Sequence, residues 1–214
     1  MEWRLLAGLS AEEVREVLAT ARRRRFSRGE VVFHRHDPAD SPHLVTKGRF
    51  AVRVMTSLGE TATIAVRGPG DSFGEMAVVS RAARAATVAA LEESETFAVH
   101  HADFDRLRHA HPAVNEATIA FLAEEVRRQN ERLLEALYEP VDKRVLRRLV
   151  ELGETYRDRD GEIPLTQEVL AEMAGTTRAT LNQLLRAEQK RGTLELRRGK
   201  TILLDPDEIA RRAG

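Results

Sequence analysis

The spacing of hydrophobic positions changes several times along the chain. Residues 9–21 combine a helical spacing of apolar side chains with Ser10 and Glu13 at the spacing of a capping box, which predicts a short amphipathic helix. Residues 25–100 instead contain short β-prone runs separated by glycines, a pattern typical of an antiparallel, jelly-roll-like barrel. The predicted strands are Val31–His34, His43–Thr46, Phe50–Met55, Thr61–Val66, Thr87–Leu91 and Thr96–Val99.

A long helix is predicted from Pro112 to Tyr138, where apolar residues recur at alternating steps of three and four and Gln129 takes one of these positions. Such a seam is narrower than the face that a helix turns to its own core, so we expect the same helix of a second chain to cover it. An ordinary core helix is the alternative, and Gln129 could simply fix the register of two helices. The seam residues are Ile119, Leu122, Val126, Gln129, Leu133 and Ala136.

Pro140 ends or kinks this helix, and helical spacing resumes over residues 141–156. The next stretch predicts two helices, with Thr166 and Thr177 as their N-caps and a turn at Gly175 between them, followed by a strand pair. This order is typical of a winged helix-turn-helix, in which the second helix points its first turns at base edges in the major groove.

The side chains of this predicted second helix suit DNA. Arg178 is suited to guanine, while Asn182 and Gln183 are suited to adenine through paired donor and acceptor contacts. Residues 176–204 contain seven basic and two acidic side chains, which favours contacts with phosphate. A small three-helix domain with solvated charges is the alternative. The predicted DNA-binding residues are Thr166, Thr177, Arg178, Ala179, Thr180, Asn182, Gln183, Arg186, Arg198 and Lys200.

Amino-acid composition limits the fold classes and the kinds of site that this chain can form. The chain has 214 residues and 42% hydrophobic content, which is enough to build real cores. It has no cysteine, which excludes disulfides, iron–sulfur clusters and cysteine-ligated zinc or haem. The 34 basic and 34 acidic residues cancel, so net charge alone does not indicate a nucleic-acid partner.

Several functions lack their expected sequence signals. No apolar run is long enough for a membrane span, and the first ten residues lack the pattern of a secretory signal, so we expect a cytoplasmic protein without a membrane partner. No Gly-x-Ser-x-Gly elbow, Walker loop or His-Glu-x-x-His motif is present, so we do not expect an enzyme.

A candidate anion site lies in the cassette of residues 73–88, Phe-Gly-Glu-Met-Ala-Val-Val-Ser-Arg-Ala-Ala-Arg-Ala-Ala-Thr-Val. Gly74 would let a backbone approach a ligand closely, and a short helix starting near Glu75 would point free N–H groups at an anion. Arg84 could pair with a phosphate, and Glu75 could accept a hydrogen bond from a ribose hydroxyl. A solvated ion pair of Arg84 and Glu75 is the alternative.

The order of these predicted parts resembles the Crp/Fnr family of bacterial transcription regulators across nearly the whole chain. The parts are a β-roll, this cassette, a long helix and a winged helix-turn-helix. The chain looks most similar to the cyclic-AMP receptor branch, and Asn182 with the ending Gly199-Lys-Thr-Ile-Leu-Leu is similar to actinobacterial members. The resemblance implies an α+β fold. Its parts would be an N-terminal antiparallel β-roll of the cyclic-nucleotide-binding type over residues 1–111, a dimerisation helix and hinge over 112–139, and a winged helix-turn-helix over 140–214.

The resemblance also implies how an effector would be held. A cyclic nucleotide, cyclic AMP before cyclic GMP, would place its ribose at Gly74 and Glu75 and its phosphate at Arg84. Its base would lie between polar residues of the two long helices, one from each chain. The implied effector-binding residues are Gly74, Glu75, Met76, Arg84, Ala85, Gln129 and Asn130.

Two positions depart from the family pattern. Ala85 stands where the family usually has Ser or Thr, whose hydroxyl also binds the phosphate. The Arg-Glu-x-x-x-Arg of the family's recognition helix is here Arg178, Ala179 and Gln183. We therefore expect an operator that differs from the TGTGA half-site.

Together these observations predict a homodimeric regulator of a palindromic DNA operator, gated by a cyclic nucleotide, with RNA polymerase as a further partner and no required cofactor or metal. A first alternative keeps DNA binding but has lost cyclic-nucleotide control, as Ala85 suggests. A second alternative is a haem or metal sensor that uses histidines such as His34, His36 and His43.

Overall fold

A computed structural model describes residues 2–57 and 59–214, and its internal contacts divide the chain into two compact units. One unit contains residues up to Val54 together with Ala65–Gln129, and the other contains Met55–Ile64 and Asn130–Gly214. The division therefore falls inside the long helix. The domain boundaries after residues 111 and 139 stay a prediction.

Two four-stranded antiparallel sheets form the roll. Its strands are β1 (Arg22–Phe26), β2 (Val31–Phe33), β3 (His43–Lys47), β4 (Phe50–Met55), β5 (Thr61–Arg67), β6 (Ser72–Phe73), β7 (Thr87–Ala90) and β8 (Ser94–Ala98). One sheet has the order β1-β8-β3-β6, and the other has the order β2-β7-β4-β5. The predicted antiparallel β-roll is thus confirmed.

Alternating side chains give the roll its aromatic core. In β8, Ser94, Thr96 and Ala98 are buried while the residues between them are partly exposed, as expected for a strand with one face on a core. The ring of Phe50 lies 4.9 Å from that of Phe73 and 5.6 Å from that of Phe26, measured between centroids. The buried members of this cluster are Phe26, Val45, Phe50, Phe73, Val88 and Ala90.

Strand β1 was not predicted, because its sequence Arg-Arg-Arg-Arg-Phe has no alternation to detect. It forms because the backbone of β8 supplies its hydrogen bonds, and side-chain pairs add to this: Arg23 and Arg25 both form ion pairs with Glu95 on the neighbouring strand. Local sequence is a weak guide where the neighbouring strand determines the structure.

Four helices belong to the N-terminal half: α1 (Ala11–Thr20), α2 (Glu75–Ser80), α3 (His101–Ala110) and α4 (Pro112–Tyr138). The predicted capping box of α1 is confirmed, with Glu13 N donating to Ser10 Oγ at 3.2 Å and Ser10 N donating to Glu13 Oε2 at 2.8 Å. The first half of α4 packs Val114 and Phe121 into a second hydrophobic cluster that also contains Phe104 of α3.

The remaining elements are α5 (Val141–Thr155), β9 (Glu162–Ile163), α6 (Gln167–Ala174), α7 (Arg178–Arg191), β10 (Leu194–Arg197), β11 (Lys200–Leu203) and α8 (Pro206–Ala213). The three strands form a small sheet of order β10-β11-β9, so the winged helix-turn-helix is confirmed. Strand β9 and helix α8 were not predicted, although Asp205 and Pro206 are a cap and a first-turn proline. No helix in residues 2–57 and 59–214 is long and apolar enough to cross a membrane.

The histidine at the centre of the roll makes the stability of the fold depend on pH. His43 is buried, stacks on Phe73, and lies with its Nδ1 3.0 Å from Thr96 Oγ1. Burial, and then the positive charges of Arg84 and Arg24, lower the pKa of His43 from 6.5 to about 3. The folded protein therefore keeps this ring neutral over a range in which the unfolded chain protonates it.

We predict that the free energy of unfolding falls as the pH drops from about 6.5 towards 3, because protons bind the unfolded state preferentially there. His43→Gln removes this proton uptake and should flatten the pH dependence, which urea unfolding at a series of pH values measures. The exposed His34 provides the control, since His34→Gln should keep the wild-type slope. An unchanged slope in His43→Gln contradicts the prediction.

Candidate functional site

Arg84 is a buried charge that joins three separate segments of the roll. Its side chain is 2% exposed. Nη1 donates to the Gly74 carbonyl at 3.0 Å, and Nη2 donates to the Ser41 carbonyl at 2.8 Å and to Asp40 Oδ1 at 3.0 Å. The guanidinium also lies 4.0 Å from the ring centroid of Phe33, within the range of a cation–π contact.

The backbone at Gly74 fits closely against this guanidinium. Gly74 has φ +82°, in the left-handed region that favours glycine, and it is the N-cap of α2. A Cβ at this position would lie 2.5 Å from Arg84 Nη1 and 3.4 Å from the ring of Phe33. The backbone of Gly74 is thus in close contact with the arginine of the same cassette, and its approach to a ligand stays a prediction.

Glu75 is a buried carboxyl with an unused acceptor. It is 5% exposed, and its Oε2 is buried without a hydrogen-bond partner. Burial raises the pKa of Glu75, while its own backbone amide and the charges of Arg67 and Arg84 act in the opposite direction. A buried, unpaired oxygen of this kind is a site that a hydroxyl of a ligand could satisfy. We call Gly74, Glu75 and Arg84 the effector cradle.

The other predicted effector residues lie outside this buried group. Met76 and Ala85 are exposed, and Ala85 offers no hydroxyl to an anion. Gln129 and Asn130 are exposed on α4. Their role at a ligand base therefore depends on a second chain and stays a prediction.

The three histidines of the metal-sensor alternative have different environments. His43 is in the aromatic core, whereas His34 and His36 are exposed in the segment after β2. In the part of the chain that the structure describes, no group of three or more His, Asp or Glu side chains is arranged to hold a metal ion.

Helix α4 turns its two faces to different surroundings. On one face, Glu125 is buried and accepts a hydrogen bond from Arg67 Nη2 of β5 at 2.5 Å. On the opposite face, a series at steps of four and three is exposed and forms what we call the apolar stripe. The stripe consists of Ile119, Ala123, Val126, Asn130, Leu133 and Leu137.

The apolar stripe and the seam predicted from the sequence share Ile119, Val126 and Leu133, and the seam stays a prediction. Leu122 packs against the hydrophobic cluster of its own chain and is only partly exposed. Gln129 of the seam and Asn130 of the stripe are both exposed polar residues between Val126 and Leu133.

The helix-turn-helix is built by two threonine caps. Thr166 Oγ1 accepts from Val169 N at 3.4 Å at the start of α6, and Thr177 Oγ1 accepts from Thr180 N at 3.1 Å at the start of α7. Gly175, with φ +59°, allows the turn between them. Both caps agree with the sequence pattern.

The outer face of α7 contains two kinds of side chain. Arg178, Ala179, Gln183 and Arg186 are exposed, as expected for residues that meet DNA. Thr180 and Asn182 are half-buried and engaged within the protein. Their contacts are Thr180 Oγ1 to Thr177 Oγ1 at 3.0 Å and Asn182 Nδ2 to Gln167 Oε1 at 2.8 Å.

The basic residues of the wing differ in whether an acidic side chain of the same chain binds them. Lys200 Nζ donates to Glu162 Oε2 at 2.6 Å, and Arg197 Nε donates to Glu195 Oε1 at 2.8 Å. Arg198 is exposed in the turn between β10 and β11. Arg198 is therefore better placed than Lys200 for a contact with phosphate.

The residues that complete these sites were not all visible in the sequence. Asp40, Ser41 and Phe33 hold Arg84 from segments far along the chain, and nothing in their local pattern indicates this. The position of Gln167 at the start of a helix could be predicted, because it directly follows the predicted cap Thr166, but its contact with Asn182 could not.

A β-roll with a buried effector cradle, on the same chain as a winged helix-turn-helix, defines a transcription regulator with a ligand-binding domain. The profile of the cyclic nucleotide-binding domain matches residues 23–111, and that of the Crp-like helix-turn-helix domain matches residues 143–212. The cyclic AMP receptor protein of Thermus thermophilus is 31% identical over 195 residues, covering 90% of this chain and 88% of that protein. This chain belongs to the Crp/Fnr family of transcription regulators.

Two further comparisons agree with this assignment. The CRP-like cAMP-activated global transcriptional regulator of Mycobacterium tuberculosis is 28% identical over 197 residues, covering 88% of this chain and 86% of that protein. The crystal structure of the Thermus thermophilus catabolite activator protein matches with a TM-score of 0.59 and 28% identity, and the match covers 98% of each chain.

Proposed function

We propose that this protein is a homodimeric regulator that binds a specific DNA sequence under the control of a cyclic nucleotide held in the effector cradle. The observation that carries the proposal is the unpaired, buried Oε2 of Glu75 beside the Gly74 backbone and the Arg84 guanidinium. Cyclic AMP is the first candidate for the effector and cyclic GMP the second, since the relatives of this chain include a cAMP-activated regulator and a cyclic AMP receptor protein.

Each cradle residue has a distinct task in this proposal. Arg84 donates to the phosphate through the donor that now contacts Asp40, whose side chain is mostly exposed and can turn to solvent. Glu75 accepts a hydrogen bond from a ribose hydroxyl, or donates one when protonated, which its raised pKa favours. Gly74 lets the backbone approach the ligand without a side chain between them.

Control of DNA binding follows only if the effector prefers one arrangement of the dimer. An effector with equal affinity for both arrangements shifts nothing, however tightly it binds. Gln129 and Asn130 are suited to this role, because they lie on α4 at or beside the apolar stripe, where a second chain would pack. RNA polymerase stays a predicted partner.

A second candidate keeps the DNA-binding function without nucleotide control. Two observations favour it: Ala85 lacks the hydroxyl typical of the family, and Arg84 already has three protein acceptors. Effector binding and DNA binding must therefore be measured separately.

The effector prediction concerns Ala85→Ser. A hydroxyl that bonds a charged phosphate contributes about 1.5–3 kcal/mol, so Ala85→Ser should tighten cyclic AMP binding by about tenfold or more in calorimetry. Ala83→Ser, at another exposed alanine two residues earlier, is the control and should leave the affinity unchanged. If neither the wild type nor Ala85→Ser takes up cyclic AMP or cyclic GMP at millimolar concentration, nucleotide gating is wrong and the second candidate stands.

The dimer prediction concerns Leu133→Glu. A charge in the centre of the apolar stripe would have to be buried without a partner in the dimer, so we expect monomers at micromolar concentration in sedimentation equilibrium, where the wild type is dimeric. Leu204→Glu is the matched control, because Leu133 and Leu204 are both 57% exposed and Leu204 lies outside the stripe. A dimer that persists in Leu133→Glu would place the interface elsewhere.

The DNA prediction is tested by selecting bound sequences from a random pool, with and without cyclic AMP. We expect a palindromic site whose halves are about one helical turn, 34–36 Å, apart, with binding that weakens steeply as salt rises. Arg178→Ala should lose a guanine preference, while Arg211→Ala, an exposed arginine of α8, should not. Failure to enrich any sequence in either condition would contradict sequence-specific binding.

A further inference from the structure

A hydrogen bond between two side-chain amides links the helices of the helix-turn-helix. Gln167 is the first residue of α6, and Asn182 lies in the second turn of α7. Asn182 Nδ2 donates to Gln167 Oε1 at 2.8 Å, and both side chains are half-buried. Because each residue belongs to a different helix, the bond sets the direction of the Asn182 amide relative to the surface of α7.

The bond determines which groups of Asn182 remain for DNA. A side-chain amide has two N–H donors and one carbonyl acceptor, and Gln167 uses one of the donors. One donor and one acceptor remain, and adenine presents the complementary pair, the N7 acceptor and the N6 amino group, in the major groove. The last torsion of an asparagine side chain is broad and roughly two-fold, so without Gln167 the two ends of the amide could exchange.

The groove around the two amides contains charged side chains suited to phosphate beside an amide suited to a base. Gln167 and Asn182 line a groove of about 510 Å³ together with Arg186, Gln189, Lys190 and Leu196. Arg186 and Lys190 carry charges that attract phosphate whatever the sequence, whereas a fixed amide distinguishes one base from another. Gln183 on the same helix is exposed, whereas the amide of Asn182 is held by Gln167.

We propose that Gln167 sets the base preference of this protein by holding Asn182 in the orientation that reads adenine. Gln167 is thus a positioning residue, which determines specificity without a base contact of its own. The inference rests on the proposed DNA-binding function and adds a residue outside the recognition helix to those that determine the operator.

The test repeats the selection of bound sequences from random DNA with full-length variants. The variants are Gln167→Ala, Asn182→Ala and the double variant, and each is selected under the condition in which the wild type binds. We expect Gln167→Ala to reduce the adenine preference at one position of each half-site by about five- to tenfold, part of the discrimination that a good bidentate contact provides. Asn182→Ala should reduce the preference at the same position, and the double variant should show no loss beyond that of Asn182→Ala, because Gln167 acts through Asn182.

Gln167→Glu distinguishes positioning from a general effect on the fold. A glutamate keeps the oxygen that accepts from Asn182 Nδ2, so the adenine preference should persist. Its added negative charge should instead weaken binding to all sequences by a similar factor. A variant that merely loosened the helix-turn-helix would not produce this separation of preference from affinity.

Glu168→Ala is the control, since Glu168 is the exposed neighbour of Gln167 on α6 and lies outside the groove lining, and it should leave the base preference unchanged. If the wild type enriches no sequence, the DNA-binding proposal fails. If the wild type enriches a sequence but Gln167→Ala keeps every base preference, or Gln167→Glu loses the adenine preference as alanine does, the positioning role of Gln167 is wrong.

Discussion

The burial of the Arg84 charge is the constraint on which the roll and its cradle depend. A guanidinium removed from water is unfavourable unless its donors are bonded and its charge is paired. Here two backbone carbonyls and one carboxylate accept from Nη1 and Nη2, and one aromatic face lies against the guanidinium, while the buried Nε has no hydrogen-bond partner. These contacts come from β2, the segment before β3 and the cap of α2. Arg84 thereby fixes the relative position of segments that are far apart in the sequence. One of these contacts holds the Gly74 backbone against the guanidinium.

Helix α4 shows how one element serves two purposes through its two faces. Its buried face is fixed by apolar packing in its first half and by the pair of Glu125 with Arg67, a charge contact between helix and sheet. Its opposite face exposes more apolar surface than a helix of a single chain usually does.

The sequence was sufficient where local chemistry determines the structure. The capping box of α1, the bounds of α4 and the threonine caps of α6 and α7 follow from residues a few positions apart. It was insufficient where distant segments meet: β1 depends on the backbone of β8, Arg84 on Asp40 and Ser41, and Asn182 on Gln167.

The four arginines of β1 affect the tendency of this protein to aggregate at high concentration. β1 is the outer strand of its sheet, so one side of its backbone carries groups that another β-strand could pair with. Two chains that met edge to edge at β1 would bring eight guanidinium groups together, of which those of Arg23 and Arg25 in each chain are paired with Glu95. Electrostatic repulsion would thus oppose the joining of two sheets at this edge.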